Sequence, residues 1–119
     1  MRHGPERVLL VEDDPQVGAL MAEILKDGGY VVDGPHPSLP DAIGAIADHF
    51  PDCAVLDVRL RGGDAALIAD DLERYDIPFL FCSGLAPADR LARRFPHAPF
   101  VPKTALGTRL LSALERTLH

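Results

Sequence analysis

The sequence predicts an α/β domain, a doubly wound (βα)5 arrangement around a five-stranded parallel sheet. Three observations lead there. Five short apolar runs are each followed by a stretch with helical spacing. None of the runs alternates apolar with polar residues, so each is expected to be covered on both faces, as strands of a parallel sheet are. The 119 residues suffice for one hydrophobic core and leave no room for a second module, so one domain over residues 1–119 is expected.

The elements follow in order. "RVLLV" reads as the first strand, and Val17, Leu20, Met21, Ile24 and Leu25 then form an apolar helical stripe stopped by Gly28 and Gly29. "YVVD" is the second strand, and the prolines from Pro35 to Pro40 read as a loop leading to a one-sided helix marked by Ile43, Ile46 and Phe50. "DCAVLD" is the third strand, followed by a loop at Gly62 and Gly63 and a helix from Asp64 to Arg74. "IPFLFCS" is the fourth, with a weaker, Arg-rich helical stretch around Arg90 to Phe95. "PFVPK" is the fifth, and Leu106, Leu110, Leu111, Leu114 and Leu118 mark an amphipathic C-terminal helix.

Composition narrows the function. A 47% hydrophobic and 25% charged chain is that of an ordinary globular protein. A formal charge of −6 argues against direct nucleic-acid binding, which requires a concentrated basic face. No run is long enough to span a membrane, and the N-terminal residues lack the pattern of a secretion signal, so a cytoplasmic location is expected. Cys53 and Cys82 fall in neighbouring strands, about three residues or roughly 10 Å out of register, which predicts buried thiols beyond disulfide reach. His49 and His97 lack the clustered partners a transition-metal site would need, and Arg90, Arg93 and Arg94 read as a solvated helix face.

In an open parallel sheet the ligand site lies beyond the carboxyl ends of the strands. Here the first strand ends in Glu12, Asp13 and Asp14, the third in Asp57, the fourth in Ser83 and the fifth in Lys103. Asp14 precedes Pro15, a natural first helical residue, so Asp14 is expected to cap the helix while Glu12 and Asp13 face the site. Grouped carboxylates repel one another and call for a cation; an all-oxygen donor set suits Mg²⁺. Lys103, one of only two lysines beside ten arginines, adds a fixed positive charge. A metal and an ammonium on opposite sides are what a transferring phosphoryl group requires.

In "VLLVEDDP", "AVLDVRL", "FLFCSG" and "FVPK" the chain resembles the receiver domains of two-component response regulators, over essentially its whole length and in that family's order. The resemblance implies the flavodoxin-like three-layer sandwich. It also implies Mg²⁺ held by Glu12, Asp13, Asp57 and the backbone carbonyl of Arg59, with Asp57 accepting a phosphoryl group from a phosphohistidine. Ser83 would bind the phosphoryl oxygen and shift on activation, Lys103 would pair with the phosphoryl charge, and Phe100 would follow the hydroxyl's movement. The implied partners are a sensor histidine kinase or a histidine phosphotransfer protein and a downstream protein target, with a homodimer through the 85–118 face a further implication. "PFLFCSG" is similar to the signature of a stand-alone receiver subclass, Phe-x-Phe-Ala-Thr-Gly.

Two departures stand out. Arg61 replaces the proline usual after the acceptor, so a differently shaped loop is expected there, and Thr104 replaces the proline usual after the lysine. With Arg59, these motivate an alternative: a receiver-like interaction module that acts without phosphorylation. The Arg59 side chain, two residues beyond the acceptor, is also placed to shield an acyl phosphate from water. A Mg²⁺-dependent phosphohydrolase fits less well, because no second aspartate follows two residues after Asp57.

Overall fold

The central strands form because their side chains are apolar in unbroken runs: every residue of Cys53–Asp57 is buried. In the computed structural model, which describes residues 5–60, 63–84 and 89–119, the sheet strands are β1 (Arg7–Val11), β2 (Val31–His36), β3 (Cys53–Asp57), β6 (Phe79–Ser83) and β7 (Phe100–Pro102). They are all parallel, in the order β2-β1-β3-β6-β7. The chain order reverses between β1 and β3, which makes the carboxyl ends of those two strands the expected ligand crevice.

Helices cover both faces. One core layer packs Leu9, Leu56, Phe79 and Phe81 under α2 (Leu39–Asp48), α3 (Ala65–Arg74) and α4 (Asp89–Arg94). The other packs Leu10, Val55, Leu80 and Cys82 under α1 (Pro15–Asp27) and α5 (Leu106–Leu118). This is the three-layer α/β sandwich expected from the sequence. Both cysteines are buried and unpaired. Cys82 lies opposite Asp57, four residues up the strand from Cys53, and burial pushes both thiols up to about 12.

Local chemistry sets the helix ends. The Asp14 carboxylate accepts from the Gln16 and Val17 amides at 2.9 and 3.2 Å, with Pro15 at the first helical position. Ser38 caps α2 and Asp64 caps α3 in the same way. The apolar stripes are narrower than periodicity suggests. Leu20 and Ile43 are exposed, as is Phe50, which lies beyond the end of α2 with 62% of its surface accessible. Gly18, Ala42 and Ala45 face the sheet instead, because close helix approach selects small residues: a Cβ on Gly18 would stand 2.9 Å from Pro35.

The proline cluster is also more ordered than a loop. Pro35 and His36 belong to β2, an edge strand where a missing N–H is tolerated, and Pro40 lies in the first turn of α2. After Asp57 the chain forms a small antiparallel hairpin, β4 (Arg59–Leu60) with β5 (Gly63–Asp64), pairing Arg59 with Asp64. Arg61 and Gly62, where a differently shaped loop is expected from the sequence, lie outside the described residues. No helix among the described residues is long and apolar enough to cross a membrane.

Candidate functional site

Strand β1 delivers Glu12 and Asp13 to the crevice, β3 delivers Asp57, and the turn after β7 delivers Lys103. One carboxylate oxygen from each of Glu12, Asp13 and Asp57 can be chosen so that all lie within 4.8 Å of one another. Glu12 is 2% and Asp57 3% exposed. Two charges at that separation repel by about 3 kcal/mol at an effective dielectric of ~20, so the cluster needs positive charge to stand. Lys103 supplies it, with Nζ 2.9 Å from Glu12 Oε1 and 3.1 Å from Asp57 Oδ2.

Backbone groups fix the orientation. Asp57 Oδ1 accepts from the Arg59 amide at 3.2 Å, and Glu12 Oε2 accepts from the Asp14 amide at 3.0 Å. The Glu12 amide in turn donates to the His36 carbonyl at 3.0 Å, where β2 shifts register against β1. The Val58 amide donates to Cys82 at 3.1 Å and holds the end of β3 against β6. Burial first, then the close approach of the Glu12 carboxylate and its charge, push the Asp57 carboxyl up to about 7 against the opposing pull of the Arg59 amide and Lys103. Burial would lower the Lys103 ammonium, but its contacts with Glu12 and Asp57 outweigh this and raise it.

The site fits a hard divalent cation. Glu12 Oε1 is a buried acceptor without a hydrogen bond: the ammonium approaches at ion-pair distance but not in hydrogen-bond geometry. A buried carboxylate oxygen in that state, beside two more carboxylates, is a donor set for an oxygen-seeking ion such as Mg²⁺. Asp13, Asp14, Asp57, Val58, Arg59, Gly84 and Lys103 line an open cleft of about 570 Å³. A Cβ on Gly84 would meet nothing within 4 Å, so that wall of the cleft is low.

Of the residues singled out from sequence, Glu12, Asp13, Asp57 and Lys103 come together, and Arg59 lies at the cleft with its amide on the Asp57 carboxylate. Ser83 closes β6 at the same edge, half-buried, in register with Pro102 and one residue before Gly84 on the cleft wall. Phe100 is half-buried in β7, its ring 5.0 Å from that of Phe81. Asp14 caps α1 and also lines the cleft. Part of the 85–118 face, residues 85–88, lies outside the described residues. Sequence reasoning missed the support behind the site: the His36 carbonyl under Glu12, and Asp64, which binds Arg90 of α4. Arg90, Arg93 and Arg94 are exposed, as expected of a solvated helix face, and Arg90 and Arg94 in addition pair with acids at the edge of α3, Asp64 and Asp70.

The response regulator receiver domain family model matches residues 8–114. The nitrogen assimilation regulatory protein NtrX of Azorhizobium caulinodans is 28% identical over 121 residues, covering 94% of this chain and 26% of that protein. The transcriptional regulatory protein TcrA of Mycobacterium tuberculosis is 36% identical over 93 residues, covering 72% and 35%. The chain thus spans about a quarter to a third of the length of these relatives. The non-phosphorylated HemR receiver domain from Leptospira biflexa superposes with a TM-score of 0.81 at 32% identity, covering 95% of this chain and 94% of that one.

Proposed function

Since the chain belongs to the response regulator receiver domain family of two-component signalling, we propose that it is a phosphorylation-dependent switch whose acceptor is Asp57. The observation that carries this is the convergence of Glu12, Asp13, Asp57 and Lys103, with Glu12 Oε1 left without a hydrogen bond. An Asp57 oxygen attacks phosphorus, an acyl phosphate O–P bond forms, and the P–N bond to the donor's imidazole breaks with its electron pair leaving on nitrogen. Glu12, Asp13, Asp57 and the Arg59 carbonyl would hold Mg²⁺, which supplies neutralisation of phosphoryl charge.

The remaining residues have work of their own. The Arg59 amide orients Asp57 Oδ1, and Lys103, already 3.1 Å from Oδ2, balances charge on the side of the acceptor it occupies. Ser83 takes a phosphoryl oxygen, and Phe100 repacks against Phe81 as the hydroxyl moves. The donor is a histidine kinase or a phosphotransfer protein. The output is contact with a downstream protein, through the 85–118 face or a homodimer formed there, because the states differ by a few kcal/mol that new contacts can bias.

One observation favours a second reading, an interaction module that works unphosphorylated. Lys103 already pairs with both buried acids, so the site is partly neutralised as it stands. A single measurement separates the two. Incubated with Mg²⁺ and a small phosphodonor, the protein gains the mass of one phosphoryl group, and Asp57→Asn gains none. No adduct, together with NMR spectra unchanged by Mg²⁺ and beryllofluoride, selects the module.

A further inference from the structure

Helix α4 is six residues long and places one buried side chain, Leu91, in the core, with Phe95 just beyond its end. So short a helix draws little from its own hydrogen bonds, and its placement depends on what its side chains hold. Its basic side chains, with His97 after it, reach the acidic edge of α3: Arg90 meets Asp64, Arg94 meets Asp70, and His97 Nε2 lies 3.2 Å from Glu73.

The first of these pairs is unlike the other two. Asp64 divides its carboxylate, one oxygen accepting from the Ala66 amide at 2.9 Å as the cap of α3 and the other accepting from Arg90. Its backbone is paired across the hairpin with Arg59. The Arg59 amide is the donor on Asp57 Oδ1. The chain of contacts therefore runs from α4, through one guanidinium, to the amide that holds the acceptor carboxylate. Among the described residues, Asp70 and Glu73, further along α3, have no such link to the hairpin.

We propose that Arg90 and Asp64 are positioning residues for the acceptor: their ion pair on the α3–α4 edge fixes the β4–β5 hairpin and, through it, the Arg59 amide on Asp57. The assignment of Asp57 as acceptor rests on the reading above; the mechanical link does not. The consequence is that displacement of α4 loosens the hold on Asp57, so a partner seated on α4 changes phosphoryl lifetime without entering the cleft.

The test is residue-specific amide hydrogen exchange on the unphosphorylated full chain. Arg90→Ala speeds exchange of the Arg59 amide by roughly threefold, the size expected of an exposed ion pair, while amides of β1 and β3 are unchanged. Asp64→Asn, which keeps a capping side chain and loses the charge, does the same; Arg90→Lys restores protection; and the double variant is no worse than either single change. An Arg59 amide indifferent to Arg90→Ala, or one that changes only in step with the whole sheet, overturns the link. Aspartyl-phosphate decay in the same variants gives the second arm. If the parent protein takes no phosphoryl group, the reading of Asp57 fails, and the exchange data still decide the role of Arg90.

Discussion

Asp57 is an acid held where water scarcely reaches, beside a second buried acid. Its carboxyl is raised from the ordinary 3.8 to about 7 by burial first and by Glu12 second. A folded-state value above the unfolded one means this group's contribution to stability is fully present below about 4 and is lost as pH rises through about 7. Metal-free protein is therefore destabilised by Asp57 at pH 8. Asp57→Asn removes the buried charge while Lys103 keeps its partner Glu12 at 2.9 Å. In urea denaturation without divalent metal, this variant is expected to be more stable than the parent at pH 8 by on the order of 1–3 kcal/mol, with the gap narrowing as the pH falls through about 7 and closing only near pH 4. Equal stability of the two proteins at both pH values would show that Asp57 carries no such penalty. The same penalty gives a cation its purchase, since positive charge placed there relieves it.

At the scale of elements, β2 supports the acidic end of β1. Gly34 has φ +128°, and a Cβ there would lie 2.4 Å from the Leu10 carbonyl oxygen and 2.9 Å from the His36 amide, both backbone atoms with nowhere to go. Gly34→Ala is expected to cost roughly 2–4 kcal/mol of stability and to weaken Mg²⁺ binding, because the His36 carbonyl two residues on receives the Glu12 amide. Gly44→Ala on α2, where a Cβ meets nothing within 4 Å, is the control and is expected to be neutral or slightly stabilising in thermal melts. Legibility in the sequence follows the same division between local and distant causes. The order of strands and helices was readable because period and length are local signals, and so was the Asp14 cap, since Pro15 fixes it. The buried face of α2 was legible only at Ile46, since periodicity also weights Ile43 and Phe50 by size whereas close packing chose Ala42 and Ala45. The polar strand ends placed Glu12, Asp13, Asp57 and Lys103 correctly, because a parallel sheet sends every such end to one edge. Arg90 and Asp64 lie 26 residues apart with no repeating pattern between them, and only the fold brings them together.

For the whole molecule, the site is a joint between strands that the unfolded chain does not possess. Glu12 and Asp13 belong to the end of β1, Asp57 to β3, and Lys103 to the turn after β7, so their carboxylates and ammonium meet only when the sheet is complete. A divalent ion that binds there binds the folded state alone, and its free energy adds to that of folding. Mg²⁺ at a hundredfold excess over its dissociation constant is expected to raise the unfolding free energy by about 2.7 kcal/mol. The sign of the pH dependence follows from Asp57: a cation competes with the proton on a carboxyl raised to about 7, so the Mg²⁺ increment grows from pH 5 to pH 8 as that proton becomes easier to displace. The increment should vanish in Asp13→Asn, which removes one ligand and leaves the Lys103 contacts intact. Thermal melts of both proteins across that range, with Mg²⁺ and with chelator, give the answer. A melting temperature insensitive to Mg²⁺ at pH 8 would mean that Lys103 alone satisfies the buried acids and that the cleft holds no ion, which in turn would favour the phosphorylation-independent module over the switch.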